Sequence, residues 1–398
     1  MLRFLTAGES HGKALVVIVE GVPAGLALTR EAIQGELGRR RLGFGRGPRM
    51  RFEADEVTIL GGVRHGRTLG SPISIEIGNS EWERKWTEEM SPEPGQPSKV
   101  LTSPRPGHAD LAGMLKYGFD DARDVLERAS ARETAARVAA GCVAKALLAT
   151  VNIGVISHVT QIGPVEVKSD DLPQLDDLAK IDASEVRCLN SEFEAQMIQE
   201  IKAAAKVGDS LGGAAEVVAY GVPVGLGSHV HWDRKLDGLL GHALMSIQAV
   251  KAVSIGEGIE VAGVRGSQAH DAIHWNESEG SYFRTTHRAG GIEGGISTGA
   301  PIRASCWMKP LATLNRPVLK TIDTKSKEAT MSFKERTDVT AVPAMGVVAE
   351  TMVALVLASE LLRKFGGDSV AELVRNVEGY KATLGESTST ALGERSSS

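Results

Sequence analysis

The sequence predicts an α+β fold, on three observations. Apolar runs of strand length and stretches of helical pattern do not alternate along the chain as a doubly wound parallel sheet requires. One strand, turn and helix phrase occurs twice, as "ALVVIVEGVPAGL" (14–26) and "AEVVAYGVPVGL" (215–226). There Gly21, Val22, Pro23, Gly25 and Leu26 match Gly221, Val222, Pro223, Gly225 and Leu226 at a spacing of 200 residues, which points to an internal duplication. Aromatic residues make up only 4% of the chain against 45 glycines, so the core rests on aliphatic side chains and close backbone approach.

The elements follow in order. The apolar run at 14–20 ends in a Gly-Val-Pro turn, and Thr29 caps the helix written in "TREAIQGELGRRR". Strand patterns follow at 56–63 and 72–77, and the prolines of 88–106 mark a long loop. "RDVLERASARETAARVAAGCVAKALLA" (123–149) is Ala-rich and helical, slim enough for the middle of a protein. Within it Ser130 and Glu133 fit a capping box, so a helix restarts there. A strand at 153–163 and a helix at 191–206 lead to the second copy of the phrase, followed by helical "DRKLDGLLGHALMSIQAVKAV". A further strand is expected at 257–264 and a helix at 345–365. The apolar part of that helix carries Glu350 and Glu360, which argues for a buried amphipathic helix rather than a membrane span. One domain is expected over 1–380, with a disordered Ser/Thr-rich tail over 381–398.

Composition narrows the function. A formal net charge of -5 gives no general affinity for nucleic acid. Cys142, Cys188 and Cys306 are widely spaced with no CxxC pair, so neither a disulfide framework nor a zinc site is expected, and a reducing cytoplasm is. The amino terminus lacks the basic-then-apolar pattern of a signal peptide.

Against that charge, "RRRLGFGRGPRMR" (39–51) is a concentration of guanidinium. Glycines 43, 45 and 47 make it a loop, and arginine forks bind carboxylate and phosphate bidentately. Anion binding is the favoured reading, against a solvated, salt-bridged or RNA-contacting loop. "GESHG" (8–12) and "RPGHADL" (105–111) each set a histidine among loop glycines, suited to proton exchange near neutral pH or to simple structural hydrogen bonding. "ERASARET" (127–134) offers Arg128, Ser130 and Arg132 at a helix start, where free amides and the dipole favour phosphate. "FKERTDVTAVPA" (333–344) sets Arg336 beside Asp338, as a site pair or a structural ion pair. "HRAGGIEGGISTGAP" (287–301) lets backbone lie against something flat, or simply turns. No GxxxxGK[ST], GxGxxG or HExxH is present, which disfavours a Rossmann nucleotide domain and a zinc hydrolase.

Collected in order, "GESHG", "RRRLGFGRGPRM", "RPGHADL", "RASARETAARVAAG", "GGIEGGIS", "MKP" (308–310) and "RTDVTAVPA" resemble the chorismate synthase family over nearly the whole chain. The resemblance implies helices sandwiched between two antiparallel sheets with internal pseudo-duplication. It implies a lyase converting 5-enolpyruvylshikimate 3-phosphate to chorismate and phosphate by anti-1,4-elimination with reduced FMN, the final shared step of the shikimate pathway. It assigns His11, His108 and Asp338 to catalysis, and Arg40, Arg46, Arg49, Arg105, Arg132 and Arg336 to the anionic substrate. Flavin contacts fall on Arg128, Ala129, Ser130, Gln248, Ala249, Gly294, Lys309, Pro310, Leu311, Ala312, Thr313 and Arg336, with no metal. The family also implies a homotetramer. Some relatives reduce their own flavin with NADPH; no nicotinamide motif supports that here, so an external flavin reductase is expected as the source of reduced FMN.

Overall fold

In the computed structural model, residues 2–45, 55–167, 171–278, 280–316, 318–333 and 337–393 are described, the last nine of them as backbone alone. Strands β1 (Arg3–Ala7), β2 (Ala14–Glu20), β3 (Glu56–Gly61) and β6 (Ile73–Gly78) form one antiparallel sheet in the order β1-β2-β6-β3. Between β3 and β6 a small hairpin pairs β4 (Val63–Arg64) with β5 (Arg67–Thr68). Alternation explains this sheet: Leu15, Val17 and Val19 on β2 and Ile73, Ile75 and Ile77 on β6 are buried, while Ile18 faces outward. Helix α1 (Arg30–Arg41) follows β2, capped by Thr29, whose hydroxyl accepts the Ala32 amide. After the first sheet come α2 (Asp110–Tyr117), α3 (Arg123–Ala129) and α4 (Thr134–Ala149).

The second sheet is β10-β15-β9-β7-β8, again antiparallel, from β7 (Gly154–Ile162), β8 (Val165–Glu166), β9 (Gly213–Tyr220), β10 (Val250–Ile255) and β15 (Ile302–Met308). Helices α5 (Leu178–Ala183) and α6 (Ser191–Val207) lie between β8 and β9, and α7 (Leu236–Met245) between β9 and β10. The long α9 (Val342–Phe365) packs on β7, β9 and α4, and α4 in turn packs on β2 and α1. Helices thus lie between two antiparallel sheets, as expected. Small residues permit the closeness: a Cβ on Gly141 of α4 would stand 2.2 Å from Thr351 of α9, far inside contact distance. Glu350 of α9, fully buried, bonds Arg39 of α1, Lys145 of α4 and Ser157 of β7. Burial alone would raise its carboxyl, but the Lys145 and Arg39 charges hold it well below the usual carboxylate range. Among the described residues α9 is the one helix long and apolar enough to cross a membrane, and 89% of its apolar window is buried inside the protein.

The duplication extends to topology. The order β1-β2-β6-β3 recurs as β7-β9-β15-β10, with α1 and α7 in equivalent connections. The hairpin of β13 (Ile292–Glu293) and β14 (Ile296–Ser297) recurs in the place of β4–β5. Both Gly-Val-Pro turns are closed by one hydroxyl. Thr68 donates to the Pro23 carbonyl at 2.6 Å and accepts the Leu26 amide at 2.9 Å. Ser297 donates to the Pro223 carbonyl at 2.6 Å and accepts the Leu226 amide at 2.8 Å.

Three expectations are corrected. Residues 257–264 are a turn and a single 3₁₀ turn (Glu260–Gly263), and the strand lies just before, at β10. Gly256 and Gly258, at φ of 59° and 56°, break the extended run there. The run 56–63 is divided by Gly62, at φ of 82°, into β3 and β4. The Ser130 capping box is not reciprocal: its hydroxyl accepts the Arg132 amide, while the Glu133 carboxylate turns to Thr6, Arg137 and Gln248. Helix α10 spans Val370–Gly393, and 394–398 lie outside the described residues. In the excursion between β10 and β13, residues Gly266–Ala269 form the short α8, and β11 (Ile273–Asn276) pairs with β12 (Ser281–Arg284). The outer hairpin of β16 (Lys320–Ile322) and β17 (Ala329–Met331) follows β15.

Candidate active site

The loop between β1 and β2 carries the first histidine. Gly8, at φ of 97°, would put a Cβ 2.3 Å from the Ala14 carbonyl, so only glycine admits this tight turn. The turn lays Ser10 and His11 on the end of α3, where the Ser10 amide donates to the Glu127 carbonyl at 3.0 Å. The His11 amide donates to Glu127 Oε2 at 2.9 Å, and His11 Nδ1 lies 2.9 Å from Oε1 of the same buried carboxylate. Trp86, from a π-helical turn at Trp82–Trp86, stacks on the imidazole at 4.0 Å with 25° between planes. Arg123 lies over the indole at 5.2 Å and bonds Glu127 at 3.0 Å. Burial pushes the Glu127 carboxyl up, but the bonds from His11 and the charges of His11 and Arg123 bring it below its ordinary value.

Beside this group the chain turns out of α3 at Ser130, whose extended ψ of 141° separates α3 from α4. Ser130 Oγ is 3.2 Å from Ser10 Oγ. Arg40 reaches in from α1, buried, and donates to Thr134 Oγ1 at 3.0 Å and the Ala131 carbonyl at 3.1 Å. Arg132 pairs with Asp55 and donates to Asn79 at 3.1 Å. Arg128, following on from Glu127, donates to the Gly8 carbonyl at 3.0 Å and to Thr6. It lines a groove of about 890 Å³ with Glu133, Arg137 and Gln248.

A second histidine stands across the α2–α3 pair, whose close packing sets Gly113 against Val125. Arg105 donates to Asp110 through Nε at 2.8 Å and to Thr313 Oγ1 at 3.0 Å. His108 Nδ1 meets the other Asp110 oxygen at 2.5 Å. Burial would raise Asp110, yet the bonds from His108 and Arg105 hold it far below the usual carboxylate range. Phe333 lies 4.9 Å from the Arg105 guanidinium. Lys309 donates to the Gly107 carbonyl at 2.5 Å, and burial with the nearby Lys251 charge lowers its ammonium.

The segment 248–249 touches both groups. Gln248 Nε2 donates to Glu133 at 3.1 Å, and the Ala249 carbonyl accepts the Lys309 amide at 2.9 Å. Ala249 has φ of 67°, a left-handed conformation that costs a residue with a Cβ. Leu311 accepts from Ser210, while Pro310 and Ala312 follow Lys309 along the same stretch, Ala312 beside Gly107. Next to Asp338, the Val339 amide donates to the Gly45 carbonyl at 2.9 Å, tying this segment to the arginine stretch.

The structure therefore gathers His11, Arg40, Arg128, Ala129, Ser130 and Arg132 around one helix start, and Arg105, His108, Lys309 and Thr313 around another loop. Gly294 stands apart: it is the tip of the β13–β14 hairpin, and its neighbour Gly295 packs on Lys235 at the start of α7. Gln248 lies beyond the other end of α7, a helix about 15 Å long. Arg46, Arg49 and Arg336 lie outside the described residues. Sequence reasoning missed Glu127, Asp110, Ser10, Trp86 and Arg123. Asp110, Ser10, Glu127 and Arg123 all sit inside the quoted stretches, and a carboxylate two residues after a loop histidine was a usable signal. Nothing local joins Glu127 to His11, 116 residues away.

Comparisons with known proteins agree along the whole chain. A family profile described as chorismate synthase matches residues 2–362. The chorismate synthase of Salinispora tropica is 58% identical over 393 residues, covering 96% of this chain and 99% of its own. That of Thermobifida fusca is 55% identical over 394 residues with the same shares covered. A solved structure described as "Crystal Structure of Chorismate Synthase" superposes with a TM-score of 0.76 at 42% identity, covering 95% of this chain and 97% of that one.

Proposed function

The chain belongs to the chorismate synthase family of lyases, and from that premise we propose that it converts 5-enolpyruvylshikimate 3-phosphate to chorismate and phosphate by anti-1,4-elimination, with reduced FMN. The observation that carries this reading is the pair of loop histidines, each held by a buried carboxylate that also bonds an arginine. Such a pair supplies two separately held proton sites in one chain.

The substrate carries two carboxylates and a phosphate, and burying them without cationic partners would be prohibitive. Arg40, Arg105 and Arg132 supply guanidinium within the site, and Arg46, Arg49 and Arg336 are assigned to the same task. Ser130 and the amides that open the turn towards α4 favour anionic oxygen. His11 delivers a proton to the departing phosphate through its ring. His108 and Asp338 hold protons for the flavin atoms N1 and N5.

Reduced FMN, when bound, supplies transient electron density for C–O cleavage and recovers it. The donor set fits a flavin. Gln248 Oε1 is buried without a partner among the described residues and can accept from a ring N–H. Arg128 and Lys309 supply cations for a phosphate tail. Ala129, Ala249 and the segment Pro310–Thr313 supply backbone and small side chains; Gly294 joins this set on the family resemblance alone.

Reduced FMN is delivered by an external reductase, since no nicotinamide motif is present, rather than made from NADPH by this chain. The chain works in the cytoplasm, consistent with three buried, unpaired cysteines. Burial pushes the Cys142 and Cys306 thiols up to about 12 and that of Cys188 to about 11, so none is a nucleophile. A homotetramer fits the open edge of β1, where Leu5 is 70% exposed beside the groove.

The deciding test is an anaerobic assay with chemically reduced FMN and 5-enolpyruvylshikimate 3-phosphate, following chorismate and phosphate together. Equal release of both, absent with oxidised FMN, is expected. Binding of flavin and substrate with no release of either product would overturn the catalytic assignments.

A further inference from the structure

Glu127 makes more of His11 than an ion pair would. Its two oxygens grip the residue at two points, the backbone N–H at 2.9 Å and the ring Nδ1 at 2.9 Å. A carboxylate only accepts hydrogen bonds, so Nδ1 carries the proton whether the ring is neutral or charged. The neutral ring is then the Nδ1–H tautomer, and Nε2 is the atom that gains and loses a proton. Three further contacts fix the geometry. Trp86 stacks on the ring and removes its freedom to rotate. Arg123 bonds the carboxylate at 3.0 Å and keeps it ionised, itself within 3.6 Å of Glu89. The Ser10 amide bonds the Glu127 carbonyl, so backbone and side chain of one residue hold two consecutive residues of the loop.

We propose that Glu127 is a positioning residue that holds His11 in the Nδ1–H tautomer and presents its Nε2 atom for proton transfer. The tautomer follows from geometry alone; the catalytic consequence rests on the role given to His11 in the preceding subsection. Among the described residues, the charged groups near the ring include Glu127 and Arg123 from α3, Glu89 behind Arg123, and Glu9 of the same loop, whose carboxylate folds back towards Gly12.

Glu127→Gln separates the alternatives, because it keeps shape and removes one acceptor. A carboxamide keeps a single oxygen, so its NH₂ takes the place of an oxygen that stands 2.9 Å from either the His11 amide or Nδ1. Its NH₂ end must oppose a donor or force the ring into the Nε2–H form. The whole chain, labelled with ¹⁵N at histidine, is measured by long-range ¹H–¹⁵N correlation across a pH series, alongside kcat and KM from the anaerobic assay. The expected wild-type signature is Nδ1–H. In Glu127→Gln that signature is lost, and kcat falls at least about tenfold with KM less affected. Glu127→Asp restores part of both. A wild-type His11 in the Nε2–H form would overturn the proposal without any variant. So would Glu127→Gln with the wild-type tautomer and kcat, or with a raised KM alone. A wild-type chain that makes no chorismate would instead sink the proposed reaction, and the tautomer spectra would still decide the role of Glu127.

Discussion

The Gly-Val-Pro turn of the first half and that of the second are closed by matching bonds, through Thr68 in one and Ser297 in the other. Around these matching frames the two halves diverge. Between β3 and the small hairpin the first half has Gly62 alone, whereas the second runs from Gly256 to Gly291 and includes the β11–β12 hairpin. The first half turns its β1–β2 loop and the start of α4 into a cluster of His11, Ser10, Ser130 and Arg132. The second contributes the Lys309–Thr313 segment, Asp338, and α9 as the buried spine. Duplication supplied a scaffold twice, and the proposed site lies where the copies differ, in loops and helix starts.

The halves are not independent, and the largest expected effect lies where they meet. Glu350 of the second half accepts from Arg39 and Lys145 of the first. Glu350→Gln takes the fully buried carboxylate from those cations, leaving them Glu36 and Asp182 alone as counter-charges, and should cost about 3–5 kcal/mol in urea unfolding. The carboxyl is depressed in the folded chain, so its contribution is complete above its unfolded value and fades as pH falls towards the folded one. The difference between wild type and variant should therefore shrink on acidification below about pH 4.5. A difference that grew on acidification would mean that Glu350 is protonated in the fold.

A sharper test of equivalence is Thr68→Ala against Ser297→Ala. Each removes one hydroxyl that serves a buried carbonyl and a buried amide, a loss of about 1–3 kcal/mol. The two should agree closely, and a large inequality would show that only one turn is still under structural demand. The smallest effect is expected at the matched glycines. Gly25 and Gly225 have φ of 87° and 96°, so alanine at either costs about 1–2 kcal/mol from the left-handed backbone alone. Gly25 has open space around its absent Cβ, whereas Gly225 faces the Tyr380 hydroxyl at 3.0 Å and Lys364. Gly225→Ala should be the worse of the pair by a small margin, and the reverse order would break the geometric account.

Much of the fold was legible. The turn residues, the Thr29 cap, the Ala-rich central helix and the Glu-bearing apolar helix are local signals, and each element stands where they pointed. The strand expected at 257–264 failed because apolar content outweighed two glycines whose left-handed backbone ends β10. In the site, the histidines and the Ser130 helix start were visible as motifs, but the arginine stretch was read as one feature and is not. Arg39 enters the core to meet Glu350, while its neighbour Arg40 turns to the start of α4.

Composition, turn chemistry and periodicity by themselves determined the α+β class, the repeat and the set of chemical groups available, because these depend on neighbours a few residues apart. Tertiary structure alone decided which carboxylate answers which histidine and which arginine belongs to scaffold or site. Helix phase points adjacent arginines about 100° apart, and the packing of two sheets determines what each then meets. The pairing of Glu127 with His11 is a product of that packing, and no local pattern encodes it.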